Sequence, residues 1–440
     1  MSSTAETMPP PYAGPRDARV IGLIGSAHFT SHFFQMVLPP LFPLMKDALG
    51  VGYTELGLLA TVFYAVSGLG QPVAGFVVDR FGARVVLVGG MALLGASMLA
   101  IAAAPSYWLI LLLMVPAGLG NCVFHPADYS ILSASVSPPR MGRAFSAHAL
   151  GGTLGWVAAP PLMLGLAQFG GWRTGVIAAG IIGLVVALTV RTQHAILRED
   201  RSGSTAHGHG ATVPAQRAGA MNWSVLLSPP ILMCFAYFLF LAIAGIALQN
   251  FLMPALNALH GTPIAVAAGA LTVYLLGSAI GILAGGYVVD RIGRHETMVG
   301  VGLAGAACLI LFAGYVPLSV LALNVVLALA GFMAGNASPA RDMLVRRATP
   351  KGSTGKVFGF VYSGLDLGST MAPALAGYMV DHGNPIGVLW IVAAGQLLAI
   401  LTAFGLGARP QPTSSTTSSA ETVRTDSTVD TSTTAVARRT

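Results

Sequence analysis

Two long apolar runs of the sequence carry polar side chains at the spacing of one helical face. These side chains recur at i, i+4 and i+7 in each run, so each set shares a face. The two sets are Asn121, His125 and Asp128, and His28, His32 and Gln35. An imidazole, or a carboxyl group in an apolar site, can take up and release a proton near neutral pH. Both faces are therefore predicted to serve proton transfer or to contact a polar ligand.

The composition of the chain indicates a membrane protein. Hydrophobic residues make up 54% of the 440 residues and charged residues only 9%, far from the usage of soluble domains. A helix needs about 20 mainly apolar residues to cross a bilayer, and long continuous runs favour helices over barrel strands. We therefore predict an all-α integral membrane protein. Its twelve predicted spans are residues 20–41, 54–78, 85–104, 107–133, 144–168, 173–191, 226–250, 264–289, 297–315, 317–340, 357–380 and 386–406.

Three segments are too polar to pack a core. They are a disordered start at 1–18, a linker at 192–223 and a disordered tail rich in Ser and Thr at 408–440. The remaining residues form two predicted six-helix bundles, at 19–191 and 224–407.

The positions of the cations predict the orientation, because Lys and Arg are retained in cytoplasmic loops. Of the 23 Lys and Arg residues, only Lys46 and Arg173 fall in loops that this topology places outside. We therefore predict a protein of the plasma membrane whose two termini and linker lie in the cytoplasm. The start of the chain lacks the layout of a cleaved signal sequence. The net charge of +7 follows from these loops and does not indicate nucleic-acid binding.

An internal repeat divides the chain into two related halves. GFVVDRFGAR at 75–84 recurs as GYVVDRIGRH at 286–295, and Pro126 and Gly155 match Pro339 and Gly368. Many secondary transporters are built from duplicated six-helix units, with the substrate site near the membrane midplane between them.

With these motifs the sequence resembles the major facilitator superfamily of transporters. The stretches HFTSHFFQMVLPPLFPLMKD at 28–47, VFHP at 123–126 and GGTLGWVAAP at 151–160 resemble its fosmidomycin-resistance branch. The resemblance implies two pseudo-symmetric bundles that alternate access to a central cavity. It also implies a monomer that binds a small molecule and protons within the lipid bilayer.

The repeated loop motif resembles the superfamily signature and implies a cytoplasmic gate. An Asp at a helix end can accept hydrogen bonds from the N-terminus of another helix and pair with Arg. The alternative is helix capping combined with a topology signal. The gate candidates are Gly75, Asp79, Arg80, Gly82, Arg84, Arg140, Arg143, Gly286, Asp290, Arg291, Gly293 and Arg294.

In the resembling fold, helices one, four, seven and ten line the central cavity, which assigns both polar faces to cavity helices. Ionisable groups within spans are costly and mark functional sites by default. The predicted proton carriers are Asp128, His125 and Asp366, and the predicted substrate contacts are His28, His32, Gln35, Asn121, Gln249, Asn250, Asn336, Arg341 and Tyr362. The alternative for Asp128 is a structural lock with Arg341 or with loop cations. Interhelical hydrogen bonding is favoured for His148 and Asn324.

A metal site is a weaker hypothesis for the same histidines. His28 and His32 could share a metal ion with His125 or His148. No cysteine or carboxylate has the spacing of a supporting ligand, so we predict no metal. The sequence also lacks a P-loop, and we predict no enzyme activity and no cofactor. An ion gradient must then drive transport.

These features together predict a proton-coupled secondary transporter that exports a small amphipathic or anionic compound. Proton-linked import of an organic anion or metabolite fits the same features, with Arg341 or the histidines as anion contacts. A receptor or sensor is a third possibility, which the lack of a signalling domain disfavours.

The gate hypothesis makes one prediction. Replacing Asp79 with Asn should lower transport and leave folded protein in the membrane, because the variant loses the charge of the latch but keeps its size. Transport rate divided by membrane abundance measures this effect. An unchanged rate would remove Asp79 from the gate.

Overall fold

A computed structural model describes residues 13–137, 140–197, 226–289, 295–348 and 354–407. All regular structure in these ranges is helical, which confirms the predicted all-α class. Ten helical segments are long and apolar enough to cross a membrane. Helices α1 and α14, defined below, have less apolar sequences and complete the twelve crossings.

In the first half, the part of the chain that the structure describes forms eight helices. They are α1 (Ala13–Gln35), α2 (Phe42–Leu49), α3 (Tyr53–Phe81), α4 (Ala83–Ala103), α5 (Tyr107–Asn121), α6 (Phe124–Ser135), α7 (Met141–Ala167) and α8 (Trp172–Thr192). Short 3-10 turns at Pro39–Leu41 and His194–Ile196 follow α1 and α8.

The described residues of the second half form seven helices. They are α9 (Pro229–His260), α10 (Ile264–Val289), α11 (His295–Tyr315), α12 (Val320–Asn336), α13 (Ser338–Ala348), α14 (Thr354–Asp381) and α15 (Ile386–Gly407). Because the number of crossings is even, both ends of the described chain lie on one face. We call it the terminal face and the other the opposite face.

Two helix boundaries differ from the predicted spans. Helix α1 begins at Ala13 instead of residue 20 and ends at Gln35, before the turn that contains Pro39. Helix α9 continues to His260, ten residues past the predicted end, because the residues after Asn250 are apolar and buried in the core. Gly261 ends it with a φ of 63°, a left-handed conformation that glycine adopts without steric cost.

Each half contains one crossing that proline interrupts. Pro126 has no N–H group to donate to the carbonyl four residues earlier, and the chain leaves the helical ladder between Asn121 and Phe124. Pro339, its partner in the repeat, follows the break between α12 and α13 at Ala337. The first break starts α6 beside the cavity and so sets the positions of His125 and Asp128.

Glycines of α7 bring its backbone against α1. A Cβ atom at Gly155 would lie 2.2 Å from the carbonyl oxygen of Phe29, and one at Gly151 would lie 2.7 Å from that of Gly25. A Cβ at Gly152 would lie 2.8 Å from the His32 ring. These glycines therefore let the histidine-bearing face of α1 pack directly on α7.

This packing predicts the effect of a single methyl group. Gly155→Ala forces α1 and α7 apart, since the new Cβ has no free space, and should cost about 1–3 kcal/mol of stability. The apparent melting temperature of purified protein in detergent measures the loss. Gly165→Ala in the same helix is the control, because its Cβ would meet no atom within 4 Å. Equal melting temperatures for the two variants would contradict the close packing.

Candidate functional site between the two halves

A cavity of about 230 Å³ lies between the two halves. Its first-half wall comes from α1, α3, the end of α5, α6 and α7, and its second-half wall from α9 and α14. The first-half residues are Ser31, His32, Gln35, Tyr64, Ser67, Gln71, Asn121, His125 and Trp156. The second-half residues are Ala242, Gly245, Ile246, Gln249, Leu365, Asp366 and Ser369. The first wall is thus mainly polar and the second mainly apolar around one carboxylate.

Hydrogen bonds between helices hold the polar wall in place. Ser31 Oγ donates to Asn121 Oδ1 at 2.8 Å, and Asn121 Nδ2 donates to Ser67 Oγ at 2.9 Å. Asn121 therefore links α1, α5 and α3. Trp156 Nε1 donates to Gln35 Oε1 at 3.0 Å. Because buried polar groups need such partners, these contacts fix the orientation of the wall before any ligand binds.

Asp366 is the carboxylate of the second-half wall. It packs against Gly68, where a Cβ atom would lie 2.7 Å from the Asp366 Cβ. Gln71 Nε2 donates to Asp366 Oδ1 at 3.4 Å, a long hydrogen bond between the halves. The side chain is only partly buried, so a carboxylate faces the cavity at the boundary between the bundles.

A second carboxylate, Asp128, lies inside the first half with several histidines. Its side chain is 0% exposed, and its Oδ2 lies 3.1 Å from His148 Nε2 and 3.4 Å from His28 Nδ1. The His28 and His148 rings stack at 3.6 Å. Burying an unpaired carboxylate is costly, so this carboxyl group must share a proton with the two imidazoles or carry one itself. The partners of Asp128 are histidines rather than Arg341.

His125 lies between this histidine cluster and the cavity. Its ring centre is 5.1 Å from that of His28, and the residue is exposed toward the cavity. His32 lies 4.4 Å from His28 and stacks on Trp156 at 4.3 Å. One ligand nitrogen from each of His28, His125 and His148 lies within 4.8 Å of the others. The near-parallel stacking of His28 and His148 would have to change before both could face one metal ion.

Six of the predicted proton and substrate residues line the cavity. They are His32, Gln35, Asn121, His125, Gln249 and Asp366. Asp128 and His28 lie behind its wall, as described. The other four predicted substrate residues lie elsewhere in the structure.

Four predicted substrate residues lie away from the cavity lining. Asn250 is fully buried, and neither polar atom of its side chain has a hydrogen-bond partner among the described residues. Asn336 packs against Gly285 of α10. The Arg341 guanidinium lies 4.9 Å from the centre of the Phe238 ring. The Tyr362 ring contacts the same phenylalanine at 4.9 Å and is 40% exposed.

The gate candidates that the structure describes lie on the terminal face. Gly82 ends α3 with a φ of 90°, and the Arg80 guanidinium lies 5.6 Å from the centre of the Phe81 ring. Arg84 lines a cavity of about 740 Å³ together with residues of α4 and α8. Gly75 and Gly286 adjoin open space, and Arg140 precedes α7. The side chains of Asp79 and Arg143, and all of Asp290, Arg291, Gly293 and Arg294, lie outside the described residues.

The sequence analysis missed the cavity face of α3. Tyr64, Ser67 and Gln71 line the cavity at the spacing i, i+3 and i+7. That spacing is itself a signal for one helical face. Unlike the two predicted faces, this face contains no histidine or carboxylate that would have singled it out. Trp156 and Ser369 are single polar positions with no such pattern.

The opposite face is closed by a helix cap that one half supplies to the other. Helix α3 begins after Gly52, which has no side chain to accept hydrogen bonds from the first N–H groups. Asp381, at the end of α14, accepts from the Tyr53 N–H at 2.8 Å and from the Thr54 N–H and hydroxyl at 2.6 Å each. Partial burial raises the pKa of Asp381, but the Thr54 and Tyr53 hydrogen bonds and the charge of Lys46 hold it below its ordinary value.

Close backbone packing continues this contact toward the cavity. A Cβ at Gly57 would lie 2.4 Å from the Pro373 carbonyl oxygen, and one at Gly377 would lie 2.2 Å from that of Tyr53. Thr61 donates to the Thr370 carbonyl at 2.9 Å. On the other side of the cavity, Tyr129 and Tyr362 remain 45% and 40% exposed. The described contacts therefore seal the cavity from the opposite face, whereas these two tyrosines on the terminal side are partly exposed.

Two helical halves around a polar cavity define a multi-pass helical membrane protein. The family model of the Major Facilitator Superfamily matches residues 24–269 and 236–438. The chain belongs to this superfamily, as the sequence motifs predicted.

Individual relatives agree with this assignment. The chain is 29% identical to the uncharacterized MFS-type transporter YfnC of Bacillus subtilis, over 87% of this chain and 91% of that protein. It is 26% identical to the fosmidomycin resistance protein of Escherichia coli, over 88% and 92% of the two chains. A bacterial homolog of the human lysosomal transporter Spinster, solved in an inward-facing and unoccupied conformation, matches with a TM-score of 0.70 at 17% identity, over 90% of this chain and 99% of that chain.

The cap on α3 makes a prediction about conformation. Asp381→Asn removes the charge that binds the α3 N-terminus and should increase the population in which the opposite face is open. Spin labels at Ala48 and Asn384, in a background without Cys308, should then report a longer or broader distance distribution. Because the pKa of Asp381 is lowered, the cap persists at neutral pH and is lost only as the pH falls through that lowered value.

The control is His382→Ala, since His382 follows Asp381 directly and its ring hydrogen-bonds to and stacks on Tyr378 of α14. It should leave the distances unchanged. A distribution for Asp381→Asn that matches that of the unaltered protein would show that the cap does not hold the face closed.

Proposed function

We propose that the protein is a proton-coupled secondary active transporter that exports a small amphipathic compound. The observation that carries this proposal is the partly buried carboxylate of Asp366 in a cavity between two bundles, which the described contacts close toward the opposite face. Such a group can exchange protons with whichever side the cavity faces. An opposed pair of polar and apolar walls suits a compound with one polar and one apolar side.

The orientation follows from the cation distribution. With Lys and Arg concentrated in the loops of the terminal face, that face is cytoplasmic by the positive-inside rule. In this proposal the cavity is open to the cytoplasm, where it collects its substrate. Opening the opposite face requires separation of Asp381 from α3 and closure of the terminal face by the predicted Asp79 gate.

Proton coupling is assigned first to Asp366, because it lies in the cavity wall at the boundary that moves. Its hydrogen bond from Gln71 joins the two halves, so protonation would alter a contact between the bundles. His125 and the buried Asp128 cluster are the second candidates. Their contacts lie within the first half, which suits storage of a proton rather than direct control of the interface.

Export is favoured by similarity to the fosmidomycin resistance protein, whose name associates it with resistance. Import of an organic anion is the second candidate function. The observation that favours it is the group of four histidines in the first half, since protonated imidazoles attract anions. We propose that the chain acts as a monomer, since each cavity is formed within one chain.

An accumulation assay tests direction and coupling together. In an efflux-deficient host, the protein should lower the internal level of a transported amphipathic compound, and a protonophore should abolish the difference. Asp366→Asn at equal membrane abundance should lose at least about tenfold of the gradient-driven rate, as expected for removal of an acid-base group.

Asp47→Asn is the matched control, because it removes the same charge from an exposed position on α2. Raised accumulation would establish import in place of export. Full gradient dependence in Asp366→Asn would shift the proton role to Asp128 or His125.

A further inference from the structure

The described residues of the cavity wall carry a fixed negative charge and no fixed positive charge. Asp366 is the carboxylate among the described lining residues, and no Lys or Arg is among them. Arg341, the cation predicted to contact substrate, lies instead with Phe238, Cys234 and Tyr237. Asp366 Oδ1 receives the Gln71 amide. Among the described residues, no cation lies within ion-pair distance of this carboxylate, so its charge is free to bind a ligand.

Other polar atoms of the cavity also lack hydrogen-bond partners among the described residues. The Gln249 Oε1 atom, on the same half as Asp366, is buried without a partner among the described residues, and so is the Tyr64 hydroxyl across the cavity. A buried acceptor without a donor costs free energy. A ligand that carries N–H groups would satisfy both Gln249 and Asp366, whereas a carboxylate ligand would offer them further acceptors.

Aromatic surfaces face the same space. Trp156 and Tyr64 line the first-half wall, and Trp156 is held by Gln35 on its N–H and by His32 on its face. Aromatic rings attract cations as well as apolar groups. The apolar residues Ala242, Ile246 and Leu365 complete the opposite wall.

The histidines do not give the wall a fixed positive charge. His32 and His125 are the titratable groups that face Asp366 from α1 and α6, and each is cationic only when protonated. A proton held by the inner histidines is offset by Asp128, which contacts His28 and His148. With that proton bound, the inner cluster is neutral overall, and Asp366 remains the unbalanced charge.

From this distribution we propose that the cavity selects organic cations, namely small aromatic amines whose ammonium group binds Asp366. This proposal rests on the proposed transport function and specifies its substrate class. The ammonium donates to the carboxylate and to Gln249, and the aromatic part lies between Trp156 and the apolar wall. An ammonium and a proton compete for one carboxylate, so loading the amine releases the proton and the cycle exchanges one cation for the other.

Matched compounds of different charge test the proposal. Tryptamine, N-acetyltryptamine and indole-3-propionate share an indole and carry positive, zero and negative charge, and the corresponding phenyl and naphthyl series extend the set. Binding is measured by the concentration dependence of the melting temperature of the full chain in detergent, with a pH indicator in weak buffer to detect released protons. The amines should bind at least about tenfold more tightly than their neutral partners, as a charge-assisted hydrogen bond provides, and only they should release protons.

Two variants locate the binding group. Asp366→Asn should abolish the preference for amines and the proton release, while Asp47→Asn, with the same charge change on α2, should retain both. Amines that bind no better than the neutral compounds in every series overturn the proposal, as does a preference for the carboxylates. Since the accumulation assay tests proton-driven export independently, loss of the amine preference would leave the transport function standing.

Discussion

The cost of burying charge in an apolar interior governs the arrangement of this protein. In the first half, Asp128 is completely buried and is placed within reach of His28 and His148. In the wall between the halves, Asp366 keeps contact with the cavity and with Gln71. Because an uncompensated carboxylate is expensive to bury, each of these positions requires either a proton or a cation. The cost of burial therefore determines where each acidic side chain lies.

Close helix packing makes these placements possible. Gly155 and Gly151 bring α7 against α1, and Gly68 gives Asp366 room beside α3. The interruption before Pro126 begins α6 beside the histidines. Without these glycines and this proline, the polar side chains would lie too far apart to contact one another. The small residues in the helix interfaces therefore determine where the polar residues of the cavity lie.

Local periodicity predicted the helical crossings and the faces of α1 and α5–α6, because apolar runs and helical spacing are properties of short segments. His32, His125 and Asn121 were predicted in this way and line the cavity. The contacts of Asp128 with His148, and of Asp381 with Thr54, join residues distant in sequence. Such pairings depend on how helices pack, and no local spacing encodes them. The contact of the Arg341 guanidinium with the Phe238 ring is a further pairing of this kind, since it joins α13 to α9.

The cap on α3 has a consequence for how the two bundles can move. Helices α3 and α14 run antiparallel, and Asp381 terminates α14 where α3 starts. Asp79 lies near the far end of α3, on the face where α14 starts. This antiparallel pair of helices thus carries an acidic residue at each of its two ends. A contact formed by the acidic residue at one end can therefore accompany the loss of the contact at the other end when the two bundles tilt.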